Sequence, residues 1–145
     1  MTLNSHARAA AALVAALALS LPLAVAPASA QPQAGVPLTS QSSSERGVTV
    51  KVTPKAIAPD NPRWEFSVVL DTHSGDLSDD LMQTATLVTS DGRELKPIAW
   101  TGAGPGGHHR EGVLEFSVPA PWPSAIELKV ERAGESVARV FRWQL

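Results

Sequence analysis

Three histidines and a group of aspartates are the side chains of this sequence with the greatest chemical reach. The stretch "DTHSGDLSDD" carries Asp71, His73, Asp76, Asp79 and Asp80, and "TGAGPGGHHREGVLEF" sets His108 and His109 side by side ahead of Arg110. The only other histidine is His6, near the start of the chain. Neutral imidazoles joined by a carboxylate suit copper, zinc or nickel. His73, His108 and His109 are therefore candidate metal ligands, copper ahead of zinc because Met82 could add a soft donor. The competing reading is structural: histidines and aspartates also hydrogen-bond irregular loops together, where many backbone groups lack partners. Geometry constrains the metal reading, because adjacent residues of an extended strand point to opposite faces. His108 and His109 can both ligate one ion only if the strand begins after them. A calcium loop is a poorer match, since the aspartates of "DTHSGDLSDD" do not follow EF-hand spacing.

Catalysis finds less support. Asp71, His73 and Ser74 are the residue types of a nucleophilic relay, but neighbours this close in sequence do not place a base behind a nucleophile and a third group behind the base. The chain has no Gly-x-Ser-x-Gly elbow, no phosphate loop and no His-Glu-x-x-His. It also has no cysteine, hence no thiolate nucleophile, no sulfur metal site of the cysteine kind and no disulfide. A non-enzymatic protein is expected.

The elements that must position these residues read as strands. Val48, Val50 and Val52 alternate with polar residues, as do Trp64, Phe66, Val68 and Leu70, then Leu114, Phe116 and Val118, then Ile126, Leu128 and Val130. One apolar and one wet face per run is the mark of antiparallel strands over a single core. Runs at Thr84–Thr89 and Glu94–Trp100 flank "SDGR", where Asp91-Gly92 reads as a two-residue hairpin with positive φ at both positions. A last run covers Val137–Leu145, with Arg139 on the apolar parity, which points to a sheet end or a bulge. No stretch after Gly47 is long and periodic enough for a convincing helix. Seven short strands in about 100 residues predict an all-β immunoglobulin-like or fibronectin-like sandwich, with a small β-barrel as the alternative. Trp64, Trp100 and Trp143 are expected in the core, and Trp122, between two prolines, is the exception.

Strands that run up and down in turn put the loop after Asp71, the loop after Trp100 and "AGE" near residue 134 at the same end. The candidate binding site is therefore one pole of the sandwich, carrying Asp71, His73, Asp76, His108, His109 and Arg110. One histidine of the adjacent pair is expected to pack inward over the His73 loop and the other to face water. Arg110 is expected to pair with Asp71 or Asp76, and its strand to start between Arg110 and Gly112.

The N-terminal segment speaks to location. Arg8 precedes a nearly wholly apolar run from Ala9 to Val25, and Ala28-Ser29-Ala30 supplies the small residues that signal peptidase requires. Residues 1–30 read as a cleaved secretory signal, since the apolar run is slightly short for a spanning helix and Pro22 and Pro27 interrupt its end. Residues 31–46, "QPQAGVPLTSQSSSER", read as a disordered tether, and residues 47–145 as the β-domain. The whole chain has a formal charge of −2, and loss of Arg8 makes the remainder one charge more negative. Without a basic cluster, neither nucleic acid nor an anionic membrane surface is an expected partner. The expected setting is periplasmic or secreted, without a membrane span once the signal is removed.

The segments "WEFSVVLDTHSGDL", "PGGHHREGVLEF" and "RVFRWQL" resemble a family of small exported prokaryotic β-sandwich proteins and domains, mostly hypothetical proteins, with L-D-T-H-S and P-G-G-H-H-R motifs. The likeness spans Val48 to Leu145. It implies that Asp71, Thr72, His73, Ser74, Gly106, Gly107, His108, His109 and Arg110 form one recurring unit, and it brings no activity, substrate or cofactor with it. Asp80 departs from the resemblance, since the family carries an apolar or aromatic residue about there. Together these readings predict an exported binding or interaction module whose partner is an unknown protein or small ligand of the cell envelope. A periplasmic copper- or zinc-binding protein is the alternative.

Overall fold

The computed structural model describes residues 38–145. The expected signal peptide (1–30) and the first part of the expected tether (31–37) lie outside the described residues. The chain forms β1 (Gln41–Glu45), β2 (Val48–Ala58), β3 (Asn61–Thr72), α1 (Leu81–Thr84), β4 (Ala85–Thr89), β5 (Glu94–Leu95), β6 (Ala99–Gly102), β7 (His109–Ser117), β8 (Ala125–Val130) and β9 (Arg139–Gln144). These strands make two sheets, one of order β1-β2-β3-β7-β6 and one of order β5-β4-β8-β9. Every pairing is antiparallel. The all-β sandwich expected from the alternating runs is the observed architecture.

Period-two patterning builds the core directly. Along β3, Trp64, Phe66, Val68 and Leu70 point inward and are fully buried, while the residues between them are wetter. Register carries the rows across the sheet, with Trp64 opposite Phe116 and Phe66 opposite Leu114. The second sheet supplies Leu87, Ile126, Leu128, Phe141 and Trp143 to the same cluster. Phe66 is the centre of an aromatic group, edge-on to Phe116 at 5.7 Å and tilted against Trp143 at 5.8 Å between centroids. Each such side chain contributes about 1.5–3 kcal/mol by leaving water, so this apolar cluster stabilises the domain without help from cysteine. Trp122 packs edge-on to Trp64 at 4.6 Å, and Trp100 is half-buried at a sheet edge.

Nine strands replace the seven expected, for two reasons. Residues 41–45, assigned to the tether, form β1, because Arg46 (φ 48°) and Gly47 (φ 77°) make a two-residue turn that folds the chain back onto β2. The run Glu94–Trp100 is not one strand: β5 pairs with β4, whereas β6 pairs with β7 in the other sheet. Between them sits Pro97, which has no N–H to give a ladder. The "SDGR" hairpin forms, but only Gly92 takes a positive φ. Its N–H donates to Thr89 C=O at 2.8 Å, the geometry of a turn closed by a left-handed glycine rather than of two mirror-image residues. Among the described residues helix is confined to one turn, α1, where the Asp80 carboxylate caps the Met82 N–H at 3.0 Å. No helix of the described residues is long and apolar enough to cross a membrane.

Arg139 opens β9 as a sheet-end residue, yet it is 2% exposed. Its guanidinium donates to the carbonyls of Ser43, Glu45 and Val48 and pairs with Glu135 at 2.6 Å. A buried cation on an apolar parity is thus a clasp for the β1–β2 turn. Gln41 completes the attachment: its side-chain amide donates to Arg142 C=O and accepts from Arg142 N–H.

Candidate functional site

The three loops expected at one pole do meet. Thr72 N–H donates to His108 C=O (2.9 Å), Leu77 N–H to Gly107 C=O (3.0 Å) and Gly106 N–H to Leu77 C=O (2.9 Å). These bonds lace loop 73–80 to loop 103–108. Gly106 (φ 117°) and Gly107 (φ 75°) supply the left-handed backbone that lets the second loop fold back. The β8–β9 turn joins through Asp79, whose carboxylate accepts from Arg132 Nε (2.8 Å), Arg132 Nη2 (2.7 Å) and Ala133 N–H (2.9 Å). The β1–β2 turn lies at the same end, since the Thr72 hydroxyl donates to Gly47 C=O at 3.0 Å.

Arg110 is placed differently from the expectation. It does not pair with Asp71 or Asp76; it is 1% exposed and points into the pole. Its Nη1 donates to the carbonyls of Leu77 (2.9 Å) and Asp79 (2.7 Å), and Nη2 reaches Ala103 C=O at 3.4 Å. The guanidinium also lies 5.8 Å from the Trp100 ring centroid, within cation–π range. Burial pulls its pKa below the ordinary arginine value, with the charge of Asp79 opposing. The physical reason is parity: Arg110 shares the inward face of β7 with Gly112, Leu114 and Phe116, so its side chain enters the fold.

The histidines take the opposite side. His108 and His109 are both exposed, so neither packs over the His73 loop as expected, and His73 is exposed too. β7 begins at His109, one residue before the expected range, because His109 is in register with Asp71 of β3. Both face outward, and His109 Nδ1 lies 2.5 Å from Asp71 Oδ1. Glu111 stands 3.7 Å from the other ring nitrogen. The hydrogen bond to Asp71 raises the His109 pKa above its ordinary value, opposed by desolvation and aided by the charges of Asp71 and Glu111.

The grouping expected for copper or zinc is not formed. Among the described residues no three His, Cys, Asp or Glu side chains are placed to hold one metal ion. His109 is engaged by Asp71 on the outer sheet face, while His73 and His108 project from separate loops into solvent. Asp71 bonds His109 across the strand pair, and the Ser74 backbone closes a short turn with the Thr72 hydroxyl.

The exposed set is therefore Asp71, His73, Asp76, Asp80, His108, His109 and Glu111. It stands on the ends of β3 and β7 and on the loops beside them, which Arg110, Asp79 and Thr72 hold in place. Sequence reasoning missed Glu111, the tie of Asp79 to Arg132 and Ala133, and the Trp100–Arg110 contact. Extending the alternation of Leu114 and Phe116 four residues back, through Gly112, would have put Arg110 inside and Glu111 outside. Asp79 left no such signal, since its partner Arg132 is 53 residues away. No family model, curated protein or solved structure matches this chain.

Proposed function

We propose that this chain is an exported, non-enzymatic interaction module that engages a protein or small ligand of the cell envelope through its His- and Asp-bearing pole. The observation that carries the reading is the contrast between the two layers of that pole. Asp71 and His109, 51% and 56% exposed, are offered to solvent, while Arg110 and Asp79 beneath them are buried and committed to backbone groups. A surface of polar side chains on strand ends and loops already fixed costs little ordering entropy on binding. The signal-like N-terminus supports export to a periplasmic or secreted location. Among the described residues no three His, Cys, Asp or Glu side chains are grouped for one metal ion, so copper or zinc binding is the less supported reading.

The test is site-specific photo-crosslinking in producing cells. A photoreactive residue at His108 or His73 should yield a discrete adduct that disappears in an Asp71→Asn/Asp76→Asn background. The same probe at Lys55, toward the opposite end of β2, should yield none. An adduct from Lys55 with nothing from the pole would sink the reading. Native mass spectrometry with added copper or zinc should show no stoichiometric metal adduct, and a tight one-to-one adduct lost on His109→Ala would reinstate the metal alternative.

A further inference from the structure

The N-terminal strand is attached in an unusual way. Leu38 is the one apolar residue of Leu38–Glu45, and the segment is held by polar contacts to distant parts of the chain. Thr39 C=O accepts from the Trp143 indole at 2.8 Å, the Ser40 and Thr53 hydroxyls meet at 2.6 Å, and Ser44 and Thr49 meet at 2.8 Å. Gln41 bridges the Arg142 backbone, and Arg139 holds the carbonyls of Ser43 and Glu45. Nearly every contact runs from the segment to the body, and only Ser43–Glu45 lies within it.

The hinge is short and strained. Arg46 is the only non-glycine residue with positive φ among the described residues, a conformation that L side chains with a Cβ disfavour. A tight hinge under strain relaxes when it extends, and extension sends the strand to a second copy. The unpaired edge of β2 then presents a row of free N–H and C=O groups, a template for the same segment of another chain. Every segment-to-body contact is regained between copies, so the two forms differ mainly in hinge conformation and in association entropy.

We propose that Leu38–Glu45 is an exchangeable strand, and that two copies of this chain form a dimer by trading it about the Arg46–Gly47 hinge. The chain has no cysteine, so a Ser44→Cys/Thr49→Cys pair introduces the only thiols, at positions that are in register. Isotopically heavy and light copies of that variant are unfolded together, refolded at high concentration, diluted and then oxidised. Exchange predicts a dimer in which the 44–49 cross-linked peptide is as often heavy–light as the two unmixed forms combined. Cross-links confined to unmixed peptides, or a monomer at every concentration, overturn the proposal. In the otherwise unchanged chain, Arg46→Gly relieves the hinge and should lower the dimerisation constant by at least about fivefold. A constant unchanged by that substitution also overturns it.

Discussion

Arg110→Met tests whether the buried guanidinium is the fastener of the pole. The substitution keeps an unbranched apolar stem and removes the charge and the donors. Three carbonyls lose a partner, but not equally. Leu77 C=O keeps the Gly106 N–H, and Ala103 C=O keeps the Trp100 indole at 2.9 Å. Asp79 C=O keeps no other donor, so one buried acceptor is orphaned, at about 1–3 kcal/mol. Two good charge-assisted bonds are lost as well, worth roughly 1.5–3 kcal/mol each before desolvation. Freeing a buried cation that has no carboxylate in contact offsets a large part of that. The net expectation is a loss of about 2 kcal/mol, or a fall in Tm of roughly 8–16 °C for a domain of this size. Urea denaturation gives the energy, and amide exchange gives the location: protection of Thr72, Leu77 and Gly106 should fall more than that of Phe66 or Leu128. Arg110→Lys should fall between, since one ammonium cannot reproduce the planar fork. Stability and pole protection both unchanged in Arg110→Met would refute the assignment.

Phe116→Ala should cost about 3–5 kcal/mol, because its ring is fully buried against Phe66; a melting temperature within error of the parent would contradict this. Gly112→Ala places a Cβ 2.6 Å from the Trp100 ring and 2.7 Å from Thr101 C=O, so it should cost roughly 1–3 kcal/mol and shift Trp100 fluorescence. Asp71→Asn should return the His109 pKa toward 6.5, as read by NMR titration of its ring protons. Because the folded pKa is the higher one, the His109 contribution is present below pH 6.5 and is lost as pH rises through the folded value. Its exposure keeps that contribution small. Glu135 behaves oppositely: the Arg139 hydrogen bond holds its pKa below 4.5, so its contribution is present above that pH and fades on acidification through the folded value. Glu135→Gln should therefore flatten the acid limb of the stability curve, and an unaltered limb would show that the Arg139 clasp does not depend on the carboxylate.

The fold was legible wherever one face is buried, because alternation then has only one solution. Trp64 to Leu70, Leu114 to Phe116 and Ile126 to Leu128 are such cases, and all became core. β1 was illegible because "QSSSE" has no apolar face; its attachment comes from Arg139, Gln41 and a turn whose first residue is an arginine. The break at Pro97 was visible as a residue type but not as a change of sheet. At the pole, topology correctly gathered the loops, while side-chain direction defeated the finer expectations. Arg110 and His109 exchange roles relative to those expectations: the charge went inside and the ring outside, as β7 parity demands. The tie between Asp79 and the β8–β9 turn depends on residues far apart in sequence, and no local pattern encodes it.

The order of strands along the chain has a consequence for how the molecule comes into being. Sheet membership alternates: residues 41–72 build one layer, 85–95 the other, 99–117 return to the first, and 125–144 finish the second. No contiguous piece of the chain contains both complete layers until β9 is included. Phe66 is covered only when Trp143 arrives, 77 positions later, as the register of β9 requires. A growing or threading chain therefore has no early half that can close on itself. Closure of the complete core waits for the final strand.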